Sequence, residues 1–144
     1  MYPVIPLLLF IDLFIKHTLP LEKTYPIFRS SFVSFDIKKT YNTKLGFSVG
    51  NAIPYWKLGT IQLVCLFSLL PYYYTNYYIS TIIISGFTNI IDRFYNKAIT
   101  DYILITFYYK SINIYSININ LADIIINYSS FLLFLFLFFS FNIL

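Results

Sequence analysis

Charged residues are scarce in this chain of 144 residues, because Asp, Glu, Lys and Arg together make up only 11 % of it. A soluble domain carries about 25 % charged residues. Hydrophobic residues account for 58 % of the chain, and its mean hydropathy is +0.70. A water-soluble globule of this size could not bury so much apolar surface, and intrinsic disorder requires the opposite composition. The sequence therefore predicts a membrane protein, with a length that fits one domain.

Cysteine and histidine each occur once, at Cys65 and His17. A single cysteine excludes a disulfide framework, a Cys-rich zinc site and an iron–sulfur cluster. A single histidine and the lack of a Gly-x-Ser-x-Gly segment argue against a metal centre and a nucleophilic triad. We expect Cys65 to be buried within a helix. The net charge of +4 comes without a basic stripe or a nucleic-acid-binding motif, so no nucleic-acid partner is expected.

Three stretches carry no charge at all, namely residues 1–11, 58–91 and 124–144. A spanning helix needs about 20 mostly apolar residues, and Pro71 with the tyrosine cluster after it divides the middle stretch in two. We therefore expect an all-α membrane protein with four transmembrane helices in a single domain. The expected helices cover about 2–19, 55–72, 77–95 and 120–143, and the longer loops cover about 21–54 and 96–119.

Alternating residues in the two longer loops predict a small β-structured region. One face of the first segment holds Val33, Phe35, Ile37 and Tyr41, and the other holds Ser34, Asp36, Lys38 and Thr40. This period-2 pattern is typical of a half-exposed strand, whose polar face we expect to meet solvent. Residues 111–120 alternate as well. Because both loops leave the same side of the helices, we expect the loops to pair into a small sheet over the helix ends.

Four of the six acidic residues lie beside apolar helix: Asp12, Asp92, Asp101 and Asp123. Two Asn-x-x-Asp patterns begin at Asn89 and Asn120, and this spacing places amide and carboxylate on one helical face. A hairpin order of four helices brings these acids to one membrane face, where they could simply pair with Lys16, Arg93 and Lys97. Two carboxylates close together at a partly dry surface instead share a proton, which suits water-mediated peptide hydrolysis.

Four segments, in the family's order and over nearly the whole chain, resemble the lipoprotein signal peptidases (signal peptidase II, prolipoprotein signal peptidase). Residues 12–16 are similar to the family's first-helix Asp-x-x-x-Lys, and residues 41–48 to its Asn-x-Gly-Ala-Ala-Phe-Ser loop. Residues 85–93 and 99–103 resemble Gly-Gly-Ala-x-Gly-Asn-x-x-Asp-Arg followed by Val-Val-Asp-Phe-Ile, and residues 119–123 resemble Phe-Asn-x-Ala-Asp. The chain departs from these patterns at Lys44 and Leu45, which replace small residues, and in the 85–93 segment its small residues are shifted.

The resemblance implies a membrane aspartyl endopeptidase that removes the signal peptide from diacylglyceryl-modified prolipoproteins, just before the lipidated cysteine. Asp101 and Asp123 would be the catalytic pair, without metal or cofactor. The residues expected to bind substrate or orient the acids are Asn42, Asn89, Arg93 and Asn120, with support from Asp12 and Lys16, while Asp92 would be a structural partner of the adjacent turn.

The resemblance also implies a place in the bacterial cytoplasmic (inner) membrane, as a multi-pass monomer among lipids. Its active site and β-structured loops would face outward and both termini would be cytoplasmic. The positions of lysine and arginine predict the opposite orientation. All ten lie in the two longer loops and their flanks, and the positive-inside rule places such segments in the cytoplasm. The alternative function is a non-enzymatic small membrane subunit, such as a scaffold or transporter component.

Overall fold

The computed structural model describes residues 4–21, 23–43 and 53–141. In chain order these residues form α1 (Val4–Thr18), β1 (Thr24–Arg29), β2 (Val33–Asn42), α2 (Tyr55–Leu69), α3 (Tyr77–Asn96), β3 (Ile99–Tyr109), β4 (Ile112–Ile119) and α4 (Leu121–Phe141). A 3₁₀ turn, Leu70–Tyr72, follows α2. The departures at Lys44 and Leu45, and most of the 41–48 segment, lie outside the described residues.

The expectation of an all-α protein with four transmembrane helices is wrong. A four-stranded antiparallel sheet fills much of what was expected to be loop. Helices α1 and α2 have 15 residues each, which gives about 22 Å of length, short of the roughly 30 Å of a bilayer core. Within the described residues only α4 has a stretch long and apolar enough to cross a membrane, Leu121–Ser140, with a mean hydropathy of 2.0.

Helix α3 is the central helix, and it packs against α1, α2 and α4. It begins where the side chain of Asn76 accepts hydrogen bonds from the backbone of Tyr78 and Ile79. It ends at Lys97, which takes a left-handed conformation with φ of 59°. Most of its buried residues are polar: Ser80, Thr81, Ser85, Thr88, Asn89, Asp92 and Arg93. The centre of the helix bundle therefore offers polar contacts rather than a purely apolar core.

Two glycines lie at the contact between α2 and α3. A Cβ atom placed on Gly86 would lie 2.8 Å from Leu66 Cδ2, and one placed on Gly59 would lie 2.8 Å from Phe94 Cζ. Both distances are shorter than normal carbon–carbon contacts, which begin at about 3.5 Å. The glycines therefore leave room for the ends of these two side chains, which would have to move if a larger residue replaced either glycine.

The sheet has the strand order β1-β2-β3-β4, and every neighbouring pair is antiparallel. The two longer loops pair into one sheet, as expected, and the strand of the second loop that pairs with β2 is β3, which lies between β2 and β4. The register brings Phe35 opposite Ile105 and Ile105 opposite Ile117, so one face of the sheet is apolar across three strands.

The expected exposure of the β2 faces is also wrong. Ser34 and Asp36, on the polar face, are 0 % and 5 % exposed, whereas Phe35 on the apolar face is 37 % exposed. Ser34 Oγ donates to Asp36 Oδ2 at 3.1 Å and lies 3.3 Å from the hydroxyl of Tyr108. The polar side chains thus cover one another. Cys65, expected to be buried, is exposed.

Candidate active site

Asp101 lies near the start of β3, with only 1 % of its surface exposed. The register of the sheet places it opposite Thr40, near the end of β2. Two amides hold its carboxylate: Asn42 Nδ2 donates to Oδ2 at 3.1 Å, and Asn120 Nδ2 donates to Oδ1 at 3.0 Å. One amide comes from β2 and the other from the residue before α4, so Asp101 is fixed from two sides.

Asp123 is positioned by the way α4 begins. The side chain of Asn120 accepts a hydrogen bond from Asp123 N at 2.9 Å, and Asp123 Oδ2 accepts one from Asn120 N at 3.4 Å. This reciprocal pair is a capping box, in which a residue before the helix and the third helical residue satisfy each other's backbone N–H. The other carboxylate oxygen, Oδ1, accepts from Asn89 Nδ2 at 2.8 Å. Asn120 therefore contacts both acids, Asp101 through its Nδ2 and Asp123 through its Oδ1.

The electrostatic surroundings favour a shared proton. Burial and, after it, the charge of Asp123 together raise the pKa of Asp101 to about 7. The hydrogen bonds from Asn42 and Asn120 and the charge of Lys16 act in the opposite direction but do not cancel these effects. At neutral pH the Asp101 carboxyl is therefore about half protonated, as required of a group that both accepts and donates protons.

A buried ion pair supports the acids from α1. Lys16 Nζ lies 2.8 Å from Asp12 Oδ2 and donates to Asn89 Oδ1 at 2.8 Å, and both charged side chains are fully buried. Asn89 in turn donates to Asp123. Lys16 thus fixes the amide orientation of Asn89, because only the oxygen of that amide can face the ammonium group. The nitrogen is left to point at Asp123.

Asp92 and Arg93 lie beside this group at the end of α3. Asp92 accepts from the backbone N and the side chain of Thr100 and from Asn96 Nδ2, so it closes the turn between α3 and β3. Its contact with Lys16 is longer, at 3.9 Å. Arg93 is fully buried, and its Nε donates to Gln62 Oε1 at 3.1 Å. Its charge interacts with those of the neighbouring acids, foremost Asp101.

Comparison with known protein families identifies the family of this chain. The family profile of signal peptidase (SPase) II, Peptidase A8, matches residues 4–139, which is nearly the whole chain. The chain belongs to the signal peptidase II family. This is a family of proteases that process lipoproteins, so the resemblance drawn from the sequence motifs is confirmed.

Two solved structures share the fold of this chain. One, described as a bacterial membrane enzyme determined by the in meso method at 2.3 Å resolution, is similar with a TM-score of 0.70 and 14 % identity, over 94 % of this chain and 85 % of that chain. Another with the same description, at 1.9 Å, has a TM-score of 0.66 and 15 % identity, over 93 % and 89 %. A search of curated proteins finds no significant match.

The sequence motifs of this signal peptidase II chain miss some site residues that the structure reveals. Tyr102 donates from its hydroxyl to Asp12 Oδ1 at 3.0 Å, and Gln62 holds Arg93. Gln62 is the only strongly polar side chain in the middle of α2, a signal that could have marked it. Tyr102 stands among fifteen tyrosines, so composition gave no reason to select it. In the described residues, no group of three or more His, Cys, Asp or Glu could hold a metal ion.

Proposed function

We propose that this protein is an aspartyl endopeptidase that removes the signal peptide from diacylglyceryl-modified prolipoproteins, cleaving before the lipidated cysteine. One observation carries the proposal: a single side chain, Asn120, makes hydrogen bonds to both Asp101 and Asp123. The bond to Asp101 reaches its carboxylate and the bond to Asp123 reaches its backbone N, so this one side chain ties the buried Asp101 carboxyl to the first turn of α4, which carries the half-buried Asp123. Such a pair holds one proton between its members, and this is the arrangement that activates water for peptide hydrolysis.

The chemistry requires one ionised and one protonated carboxyl. The ionised carboxylate takes a proton from a water molecule while the oxygen of that water attacks the scissile carbonyl carbon. At the same time the protonated carboxyl donates its proton to the carbonyl oxygen. Collapse of the tetrahedral intermediate breaks the C–N bond, and the amine of the lipidated cysteine leaves with a proton. Water has then added OH to the acyl carbon and H to the amine. Because the acids titrate as a pair, no separate role is given to Asp101 or Asp123.

The protein is expected to act in the bacterial inner membrane with its site facing outward. The Leu121–Ser140 stretch of α4 is 20 residues long, and only 11 % of its most apolar part is buried inside the protein. A helix so apolar and so open needs lipid around it. Asp123 lies in its first turn, so the two acids sit at one end of the span, where a lipid-modified cysteine at the outer leaflet could reach them.

The test is cleavage of a lipidated pro-substrate by purified protein in membranes. We expect Asp101→Asn and Asp123→Asn each to abolish cleavage, because one carboxyl group cannot perform both proton transfers. Uncleaved, lipid-modified precursor should accumulate in both cases. Normal processing by either variant would exclude the proposed pair, and absence of cleavage by the purified unmodified protein would favour a non-enzymatic subunit.

Asp36→Asn is the matched control, because it makes the same change in another buried aspartate. Asp36 lies opposite Leu104, and the alternation along β3 places it on the sheet face opposite that of Asp101. Its described contacts are Ser34 and Arg29, neither of which touches the two acids. We expect this variant to cleave at a rate within a few-fold of the unmodified protein.

A further inference from the structure

The hydroxyl of Tyr102 connects β3 to the first turn of α4. It donates to Asp12 Oδ1 at 3.0 Å and accepts from the backbone N of Leu121 at 3.2 Å. Tyr102 follows Asp101 directly, and Leu121 lies two residues before Asp123. Only 3 % of Tyr102 is exposed. One buried hydroxyl thus lies between the chain segments that carry the two acids.

The same carboxylate oxygen of Asp12 also accepts hydrogen bonds from two backbone N–H groups of α4. Leu121 N lies 3.1 Å and Ala122 N 3.4 Å from Asp12 Oδ1. These N–H groups have no partner within their own helix, and an anion at this place also meets the favourable end of the helix dipole. The α4 start is therefore held by Asp12 and Tyr102 together, while the capping box with Asn120 orients Asp123 itself.

The phenol remains a donor throughout the working pH range. Burial and the charge of Asp12 raise the pKa of Tyr102 above its ordinary value. In the family pattern quoted above, Asp-Phe, the position after the aspartate holds a phenylalanine, so a ring without a hydroxyl is compatible with this place. The hydroxyl is thus a separable addition, whose loss removes two hydrogen bonds and leaves the ring in position.

We propose that Tyr102 is a positioning residue of this peptidase, whose hydroxyl, acting through Asp12 and Leu121, sets the distance between Asp101 and Asp123. This rests on the proposed function. Without the hydroxyl, Asp12 loses one of the donors to its Oδ1, and the first turn of α4 is held to β3 less firmly. Displacement of a catalytic group by a fraction of an ångström lowers the rate of the chemical step more than it lowers substrate binding.

Tyr102→Phe is the test, with Tyr108→Phe as the matched control on the same strand. Tyr108 lies near the far end of β3 and its hydroxyl contacts Ser34 rather than any residue of the site. We expect Tyr102→Phe to lower kcat roughly tenfold and to change KM less than twofold. Tyr108→Phe should leave both constants unchanged. Both are measured by cleavage of a lipidated pro-substrate in detergent.

A pH profile and a second variant separate positioning from stability. Asp12 pairs with Lys16 on α1, which also lies 3.9 Å from Asp92 on α3, and the charge of Asp12 acts on Asp123 on α4. With one donor to Asp12 removed, its charge acts more strongly on the pair, so the alkaline limb of kcat should move up by roughly half a pH unit. In an Asp12→Asn background, Tyr102→Phe should lower kcat by a smaller factor than it does in the unmodified protein, because one of the two partners of the hydroxyl is already changed.

Each outcome has one reading. A Tyr102→Phe protein that melts earlier but keeps its kcat and pH profile would overturn the positioning role and leave a structural one. If the unmodified protein cleaves, Asp101→Asn is inactive and Tyr102→Phe behaves as the unmodified protein, only this inference fails. If Asp101→Asn still cleaves, the proposed function fails instead.

Discussion

At the scale of single residues, the protonation of Asp101 decides what the site can do. Its side chain is buried, and two amide groups donate to it, yet burial and the charge of Asp123 still raise its pKa to about 7. A carboxyl group with an ordinary pKa of 3.8 would be fully ionised in most cells. The site therefore keeps a proton at neutral pH at the cost of folding stability.

This cost has a definite sign and pH range. The pKa of Asp101 is higher in the folded than in the unfolded chain. The contribution of Asp101 to the free energy of unfolding is therefore most favourable below about pH 4. It is lost as the pH rises towards 7 and is constant above that. Raising the pKa from 3.8 to about 7 lowers the free energy of unfolding by about 4 kcal/mol across this range. Activity should follow the same group, with an alkaline limb near pH 7 where the pair loses its proton.

Asp101→Asn isolates the effect. We expect the melting temperature of the unmodified protein in detergent to fall between pH 4 and 7 by more than that of the variant. The difference between the two proteins should therefore change steadily over this range and level off above it. The substitution also removes a hydrogen-bond acceptor from the site. That loss of stability does not depend on pH, so it shifts the melting temperature of the variant by the same amount at every pH. Parallel curves for the two proteins would contradict the raised pKa.

At the scale of elements, the site is where α1, β2, α3, β3 and α4 meet through polar side chains rather than through apolar packing. Asp12 and Lys16 of α1 reach α4 and α3: Asp12 Oδ1 accepts from Leu121 N, and Lys16 Nζ donates to Asn89 Oδ1. Both side chains are fully buried, so removing one leaves the other charge without its partner. Such a loss costs on the order of 3–5 kcal/mol.

A double-mutant cycle measures this junction. We expect Asp12→Asn and Lys16→Met each to lower the free energy of unfolding by a few kcal/mol, and the double variant to lose less than the sum of the two. Neither single variant should be as inactive as Asp101→Asn, since Asp12 and Lys16 do not handle water. Thermal unfolding in detergent provides the measurement. Strict additivity would mean that the pair does not interact, and Asp12 would have to be reconsidered as part of the active site.

The elements also show what sequence patterns can and cannot predict. Alternation identified β2 and β4, because hydrophobic and polar residues are regularly spaced there. It missed β3, where Ile103, Leu104 and Ile105 form a continuous apolar run, and β1, which contains Pro26. It also misassigned the exposed face of β2, because alternation tells which residues share a face but not which face the rest of the protein covers.

The residues of the candidate site were easier to group from the sequence than the strands of the sheet, for a physical reason. In an apolar chain a carboxylate beside a helix is expensive, so the four acids that lie beside apolar helix already mark the few places where chemistry is expected. The spacing Asn-x-x-Asp placed Asn120 and Asp123 together, although their contact turned out to be a helix cap rather than a shared helical face. The hydroxyl of Tyr102 could not be found this way, because its partner Asp12 is 90 residues distant in the chain.

At the scale of the whole molecule, the arrangement has a polar end and an apolar end. The sheet leads into α4 at Leu121, beside the acids, and α4 then runs about 30 Å to Ser140 through residues that are almost all apolar. The hairpin tip at Ser31 and the helix end at Ser140 are both exposed. If α4 crosses the membrane, these two serines lie on opposite sides of it.

Cysteine labelling decides the orientation. In a Cys65→Ala background, which removes the exposed native thiol, we expect Ser31→Cys to react with a membrane-impermeant maleimide added to intact spheroplasts. Ser140→Cys should react only after the membrane is opened, because the site must face the outer leaflet where lipid-modified substrates present their cysteine. Cleavage of a lipidated pro-substrate by both variants shows that each is folded. Labelling of Ser31→Cys only from the cytoplasmic side would place the acids inward, as the positive-inside rule taken alone predicts, and the outward-facing site would be wrong.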